Sequence, residues 1–516
     1  MSGSTIPDGA HGWKVAALIG SLEQVLRAET AAAASGAAAW VTCFRLRRSL
    51  FESNWLPAPH PREVARFASA DPAAAACAAV LGSRVAILQL DRDAAATWLA
   101  LYADVATPQD PWLSVTRAWL SVCAGDRLAD VVAQGETLAQ EGRRCGDGQL
   151  VVEAAAVGAF ALLELGERAA GLALARRASR MASAEGLGPL TALAHIVLSR
   201  ARRASGHPHL GAHVASTLGS HLSTECGAWP AWEAVLGAGV TAPAPLAGGP
   251  PLELYGAIAA AATGRRDLLE QTVTRARAMS LPLFAQRDLD AALAVTDWSA
   301  APGESVLWCD GRDATAPRGV EGLASSVDAE AYVLALPGQP GRRVLACGAA
   351  LAAKECGAGV VAPEADQKRT DSAVAALLHA GPNGVETKRF FADLYGFALV
   401  ERHAGVLRVL LHRVRRRVAP WATLVRDAGK LRLEHDVAVL FPDPRCERAD
   451  HAVLTFAASQ GQVVARDVAE RLGVPLRTAQ DALRRLAEVG VFRAVPSGRN
   501  VQYVLEDTTF GEPTRA

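Results

Sequence analysis

Several residue types and patterns that would define a protein class are scarce in this sequence. Aromatic residues make up only 5% of its 516 positions. The nine cysteines are scattered, odd in number and contain no C-x-x-C pair, which argues against a disulfide framework and against a zinc knuckle. Basic and acidic residues number 53 each, so the chain has no net charge. Attraction to a charged partner must therefore come from a local excess of one sign.

Sequence signals of enzymes and membrane anchors are also missing. There is no H-E-x-x-H and no G-x-S-x-G, and Gly357-Ala358-Gly359 lacks the spacing and the Lys-Ser/Thr ending of a phosphate loop. We therefore predict no catalytic residues, no cofactor and no enzymatic activity. The longest uncharged apolar run, Ala31 to Phe44, is too short to span a bilayer, and no secretory leader opens the chain. We expect a cytoplasmic protein without membrane contact.

Three histidines lie close together in the segment H-P-H-L-G-A-H. His209 and His213 are four residues apart and would share one face of a helix, where they could bind a metal. No acid or cysteine stands nearby at ligand spacing to complete such a site. The alternative is that His207, His209 and His213 belong to a polar turn and the start of a helix, and we predict no metal site.

Alanine, leucine and arginine are abundant, and all three favour helix, so we predict a mainly α fold. Similar turn sequences recur at Leu90, Ala124, Leu165, Ser205 and Thr263. Successive intervals from Asp91 to Gly125, Gly166 and Gly206 are 34, 41 and 40 residues. Periods of this size suit stacked helical hairpins, that is, an N-terminal α-solenoid. The region, especially around Leu165, resembles the degenerate tetratricopeptide arrays of large bacterial transcription regulators, which implies a surface for a protein or small-molecule effector.

The strongest functional signal lies between Arg402 and Arg432, which contains nine Lys or Arg residues and one acid, Asp427. Leu407, Leu411, Val414 and Val418 follow spacings of four, three and four, so we predict a helix with one buried stripe. Arginines and His412 are left to project from its other faces. A segment with the β-branched residues Thr423 and Val425 follows, with a possible turn at Asp427-Ala428-Gly429, and this pattern predicts a hairpin.

Residues 371 to 433 resemble the DNA-binding domain of OmpR/PhoB-type response regulators. The resemblance rests on a first helix at Ser372 to His379, a G-P-N-G turn, the segments V-E-T-K-R-F-F-A-D-L-Y and H-R-V-R-R-R-V, and the wing L-V-R-D-A-G. It implies a winged helix preceded by an antiparallel sheet, and strands are predicted at Ser305–Cys309, Ala331–Leu336 and Arg343–Cys347. The sequence departs from the family pattern at Arg408, where an acid is usual, and at Leu410, where a polar base-reading side chain is common.

A second unit follows, joined through the segment V-A-V-L-F-P-D-P-R. We predict helices at His451–Ser459 and Val464–Leu472, a turn at Gly473-Val474-Pro475, a further helix from Leu476, and two strands around Pro496 to Arg499. The order resembles the winged helix-turn-helix of bacterial repressors. The resemblance implies that the helix after the turn faces a major groove and that Arg499 lies at the tip of a wing.

The sequence thus predicts an α-solenoid followed by two winged-helix domains with small β-sheets. The domains are a helical repeat region at 13–299, a β-containing connector at 303–370, and winged helices at 371–441 and 449–507. The predicted function is transcription regulation by tandem binding to duplex DNA; the alternative is a protein-interaction scaffold. Whether the chain forms a homodimer stays open. The predicted DNA-binding residues are Arg402, Arg408, His412, Arg413, Arg415, Arg416, Arg426, Lys430, Arg477, Thr478, Gln480, Arg484 and Arg499.

Overall fold

Helices dominate the structure, and small antiparallel sheets lie toward its C-terminus, in agreement with the predicted mainly α fold. The structure is a computed structural model. It describes residues 10–50, 61–67, 70–103, 110–184, 192–219, 222–223, 226–238, 252–263, 265–277, 280–299, 307–309, 331–335, 343–347, 358–359, 368–395, 397–419, 422–435, 439–442, 449–488, 491–498 and 500–505.

The described chain is helical up to residue 299, over the range predicted to be a helical repeat region. Many of these helices pack against the next one in sequence. The helices are α1 (Ala10–Ile19), α2 (Leu22–Ala34), α3 (Ala38–Ser49), α4 (Pro61–Ala65), α5 (Pro72–Leu88), α6 (Arg92–Ala103), α7 (Pro111–Ala124), α8 (Leu128–Cys145), α9 (Gly148–Glu164), α10 (Arg168–Ala184), α11 (Ala192–Ala204), α12 (Pro208–Gly219), α13 (Ala228–Ala238), α14 (Leu252–Thr263), α15 (Arg266–Arg277) and α16 (Leu283–Ser299).

The recurring turn sequences do separate helices. Leu90 lies between α5 and α6, Gly125 between α7 and α8, Gly166 between α9 and α10, and Gly206 between α11 and α12. All four have a positive φ, between 59° and 84°, which reverses the chain after a helix and which glycine adopts at little cost. The fifth predicted turn centres on Gly264, which lies outside the described residues.

Small residues allow the paired helices to approach closely, and Gly211 is one example. A Cβ atom at Gly211 of α12 would lie 2.5 Å from the carbonyl oxygen of Ser199 in α11. The Ser199 hydroxyl in turn donates a 2.7 Å hydrogen bond to the Gly211 carbonyl oxygen. The absence of a side chain at position 211 therefore sets the distance between these two helices.

One apolar core extends through the helical region, and alanine supplies much of it. Helices α5, α9 and α11 are buried on nearly all sides, whereas α8 buries one face. The largest side chains gather where Phe160, Trp229 and Phe284 meet, with ring centroids 4.8 to 5.8 Å apart. The effector site expected on this helical region stays a prediction.

A buried ionic cluster joins four helices of this region. Arg200 Nη1 of α11 lies 2.6 Å from Asp288 Oδ2 of α16, and Arg203 Nε lies 2.9 Å from Glu233 Oε2 of α13. Arg200 also reaches Glu164 at the end of α9, at 3.3 Å. Burial alone would raise the pKa of Glu233, but Arg203 and Arg200 outweigh it and hold the pKa below the ordinary value of 4.5. Each buried charge therefore depends on its partners.

A five-stranded antiparallel sheet has the order β2-β3-β8-β1-β4. Its strands are β1 (Leu307–Cys309), β2 (Ala331–Ala335), β3 (Arg343–Cys347), β4 (Ala358–Gly359) and β8 (Val439–Pro442). The three predicted strands are confirmed within one or two residues. The segment around Val439, predicted to lead from the first C-terminal unit to the second, also forms a strand that was not predicted. As β8 it pairs with both β3 and β1 and so lies between them in the sheet.

The C-terminal part contains two units with the same order of elements. The first has α17 (Lys368–Ala380), β5 (Val385–Glu386), α18 (Thr387–Tyr395), α19 (Ala404–Val418), β6 (Thr423–Asp427) and β7 (Lys430–Glu434). The second has α20 (Ala449–Gln460), β9 (Gln462–Val464), α21 (Ala465–Leu472), α22 (Leu476–Glu488), β10 (Phe492–Ser497) and β11 (Asn500–Leu505). In each, the short strand pairs with the second hairpin strand, in the orders β5-β7-β6 and β9-β11-β10.

Each unit has its own apolar core, and both contact the helical region. His379 at the end of α17 hydrogen-bonds to the carbonyl oxygen of Ala204, and Asn383 in the following turn donates to the carbonyl oxygen of Leu165. Both carbonyls lie at turns between helices of the region before residue 299. Leu210 of α12 lies in the core of the second unit, together with Val453 and Leu454 of α20. The hairpin formed by α11 and α12 therefore contacts both C-terminal units.

Candidate nucleic-acid interface

Helix α19 buries the stripe predicted from its sequence. Leu407, Leu411, Val414 and Val418 all lie in the core of the first unit. Leu410 joins them with only 4% of its surface exposed. The resemblance placed Leu410 where a base-reading side chain is common, but the structure buries it, because it lies three residues after Leu407 and four before Val414 and shares their face of the helix.

The basic side chains of α19 are exposed, as predicted. Arg408, His412, Arg413, Arg415 and Arg416 all project into solvent. The four arginines form no ion pair with any residue in the described ranges. Helix α19 itself contains no acid, so its outward faces carry uncompensated positive charge.

Two further arginines of the basic stretch have a different environment. Arg417 lies 3.0 Å from the carboxylate of Asp371 in α17 and is mostly buried, so it ties α19 to α17. Arg402 is exposed just before α19, where its Nε lies 3.2 Å from the His403 ring. Arg402 therefore stays available at the start of the helix, whereas Arg417 is part of the fold.

The hairpin β6–β7 adds two more free cations. It turns at Ala428 and Gly429, whose φ values of 45° and 83° confirm the predicted turn. Arg426 and Lys430 are exposed and have no ion-pair partner among the described residues. Arg432 differs, because Glu434 and Asp427 lie close enough to compensate it. Arg426 and Lys430 thus extend the positive charge from α19 to the hairpin.

An aromatic cluster supports the start of α19, and sequence reasoning missed it. The His403 ring stacks on Phe391 of α18 with centroids 5.6 Å apart, and Phe397 lies against the same His403 ring at 5.0 Å. These contacts fix the short 3-10 turn Glu401–His403 that leads into α19. The close sequence spacing of the aromatic residues was the only available signal.

Helix α22 of the second unit presents a mixed surface. It buries Ala479, Ala482, Leu483 and Leu486. Of the predicted residues, Arg477, Gln480 and Arg484 are exposed, and Thr478 is partly exposed.

The charge on this surface is lower than on α19. Arg484 lies 3.6 Å from Asp481 of the same helix, which offsets part of its charge. The hairpin strand β10 runs through Pro496 to Ser497, so the turn is shorter than predicted. Arg499 lies outside the described residues.

The histidines near residue 209 do not form a metal centre with their described neighbours. No three His, Cys, Asp or Glu side chains gather at ligand distance anywhere in the described ranges. His207 lies in the α11–α12 turn, and the other two histidines belong to α12, as the alternative interpretation expected. Burial lowers the pKa of His213, which favours its neutral form.

Comparison of the chain with protein-family models, with curated proteins and with solved structures found no match. Within the described part of the chain, no helix has both the length and the apolar character that crossing a bilayer requires.

Proposed function

We propose that this chain is a transcription regulator in which two winged-helix domains bind duplex DNA and the helical array receives a protein or small-molecule effector. The observation that carries the proposal is the set of free cations on α19 and the adjacent hairpin. Arginines held by internal ion pairs would have argued against it. Four arginines of α19, with Arg426 and Lys430 of the hairpin, are instead exposed and uncompensated among the described residues.

The order of elements supports the same proposal. Each C-terminal unit runs helix, strand, helix, helix, hairpin, which is the arrangement of a winged helix. In such a domain the third helix, α19 or α22, enters the major groove and the hairpin contacts the backbone. Cations on α19 and on its hairpin would then neutralise phosphates.

The two units are expected to contribute differently. The first carries more free charge, so it supplies most of the attraction that does not depend on sequence. The second has Arg477, Gln480 and Arg484 exposed on α22, and side chains of this kind pair with purine edges in the major groove. Replacing Arg477 and Arg484 with alanine should therefore reduce the difference in affinity between preferred and other DNA sequences. The affinity for duplex DNA in general should fall less.

Duplex binding by the full-length chain at several salt concentrations tests the proposal. A regulator that neutralises six to ten phosphates loses about 10³- to 10⁵-fold in affinity between 50 and 200 mM salt. Changing Arg413, Arg415 and Arg416 together to alanine should reduce the slope of log affinity against log salt by about three. The matched control changes the exposed Arg66, Arg143 and Arg144 of the array, which removes the same charge elsewhere.

The rival function is a scaffold whose two C-terminal units bind protein. It predicts little duplex binding at either end of the salt range. It also predicts that the triple replacement in α19 and the control triple replacement in the array have the same small effect on DNA. Either result would reject the DNA-binding proposal.

A further inference from the structure

Two valines on α19 are exposed although the helix has a well-formed buried side. Val406 is 45% exposed and Val409 is 54% exposed. Neither belongs to the apolar core of the first unit, which takes Leu407, Leu410 and Leu411 from the same helix. A β-branched residue on an exposed helix face adds nothing to packing and disfavours helix slightly compared with alanine. Their presence there calls for a different explanation.

Val409 occupies the centre of the outward face. It is two residues from both Leu407 and Leu411, and two residues correspond to a rotation of about 200° around a helix. Val409 therefore points away from the core. His412, Arg413 and Arg416 are three, four and seven residues further on, so they surround it on the same face. Val406, three residues earlier, lies beside it.

The surface is thus an apolar centre with a cationic rim. No acid stands in α19, and the rim arginines have no ion-pair partner among the described residues. An acidic partner with small apolar groups at its surface would be complementary. The major groove of DNA offers this combination, because thymine projects its 5-methyl group there between two rows of phosphates.

Resting on the proposed function, we infer that Val409, assisted by Val406, reads thymine by contact with its 5-methyl group. The arginines and His412 around the valines hold the helix against the phosphates and the neighbouring base edges. The site recognised by the first unit then contains at least one thymine whose methyl group lies under α19. Specificity in this unit comes from an apolar contact, whereas charge supplies the affinity.

Deoxyuridine substitution tests this directly, because it removes the 5-methyl group and leaves base pairing unchanged. A preferred duplex is first selected from a random pool with the full-length chain. Each thymine is then replaced singly by deoxyuridine, and binding is measured at fixed salt. Burial of one methyl group corresponds to about a threefold to fivefold change in affinity. We expect a loss of this size at one or two thymines and none at the others.

The variant V409A completes a double-mutant cycle. It should bind the thymine duplex more weakly, and it should no longer distinguish thymine from deoxyuridine at the sensitive position. Its salt dependence should equal that of the unmodified chain, since no charge is removed. The control V15A changes a valine of similar exposure on α1 and should alter neither quantity. Val409 and Val15 are both exposed, so neither substitution should appreciably change the melting temperature of the chain.

The outcomes separate the two proposals. Selection that enriches no duplex, with no binding at low salt, would reject DNA binding altogether and the thymine contact with it; the valines would then fit a protein partner. Sequence-dependent binding that is insensitive to deoxyuridine at every position would reject only the thymine contact. If V409A and V406A both kept the full sensitivity to deoxyuridine, that result would also reject only the thymine contact.

Discussion

The Nε2 atom of His379 lies 2.6 Å from the carbonyl oxygen of Ala204, a residue 175 positions earlier in the chain. Ala204 ends α11, and His379 lies near the end of α17, so the contact joins the helical array to the first C-terminal unit. Asn383 makes a parallel contact four residues later, where its Nδ2 donates to the Leu165 carbonyl oxygen at 3.2 Å. The turns that follow α9 and α11 thus both bind the segment from His379 to Asn383 in the first C-terminal unit.

Replacing His379 with alanine should weaken the contact between this segment and the helical region. A hydrogen bond of this kind contributes about 0.5 to 1.5 kcal/mol net, so the chain should stay folded. We expect faster amide hydrogen exchange in residues 378–384 and around Gly206, with little change in the buried core of α9. The matched control is His412 to alanine, an exposed histidine on α19. Equal exchange in the two variants would show that His379 does not anchor the unit.

Leu210 holds the second unit by a different interaction. It is only 1% exposed and lies in a core shared with Val453, Leu454 and Leu483. Truncating a leucine in such a place costs about 2 to 5 kcal/mol. The variant L210A should therefore unfold at lower temperature, and limited proteolysis should cut first near the second unit. L268A, on an exposed position of α15, should behave as the unmodified chain. A melting temperature for L210A equal to that of L268A would contradict this packing.

Periodicity predicted most of the secondary structure because it is a local property of the sequence. The buried stripe of α19 and the turns at Leu90, Gly125, Gly166 and Gly206 all depend on residues within one or two helical turns of each other. The predicted starts and ends of the C-terminal helices were less accurate, as α17 begins four residues before Ser372. Helix ends depend on capping and on tertiary contacts as well as on pattern.

Features that depend on distant parts of the chain could not be predicted. Strand β8 pairs with β3 and β1, which lie about 95 and 130 residues earlier in the chain. The sequence of β8 does not indicate which strands it will pair with. The ionic cluster brings Arg200 to Glu233 and Asp288, which look in the sequence like charges on solvated helix faces. The exposure of Val406 and Val409 in α19 was also missed, because an apolar residue within a helix is expected to pack against the core.

Gly211 sets the distance between α11 and α12, so its substitution should be costly. A Cβ atom there would overlap the Ser199 carbonyl oxygen, and backbone atoms cannot move away as a flexible side chain can. We expect G211A to destabilise the chain by about 1 to 3 kcal/mol in urea unfolding. Gly405 in α19 is the control, because a Cβ atom there would meet nothing within 4 Å. G405A should be neutral or stabilising, as alanine favours helix by about 1 kcal/mol over glycine.

Glu233 should make the stability of the array depend on acid pH. Its pKa in the folded chain lies below the ordinary value of 4.5, because Arg203 and Arg200 outweigh the effect of burial. The ionised carboxylate therefore stabilises the fold above pH 4.5, and that stabilisation is lost as the pH falls below this value toward the folded pKa. Arg200, Arg203 and Trp229 contact the Glu233 carboxylate, and Asp288 binds the same two arginines.

The variant E233Q tests the argument because it keeps the shape of the side chain and removes its charge. At pH 7 it should lose about 3 to 5 kcal/mol of unfolding free energy, since two buried guanidinium groups lose an anion. Acidification below pH 4.5 should then cost the unmodified chain more than it costs E233Q, so the two unfolding curves should converge. E136Q, which changes an exposed glutamate of α8, should follow the unmodified chain at both pH values. A gap between the unmodified chain and E233Q that is the same at pH 7 and at pH 3.5 would mean that folding does not lower the pKa of Glu233, and it would contradict the argument.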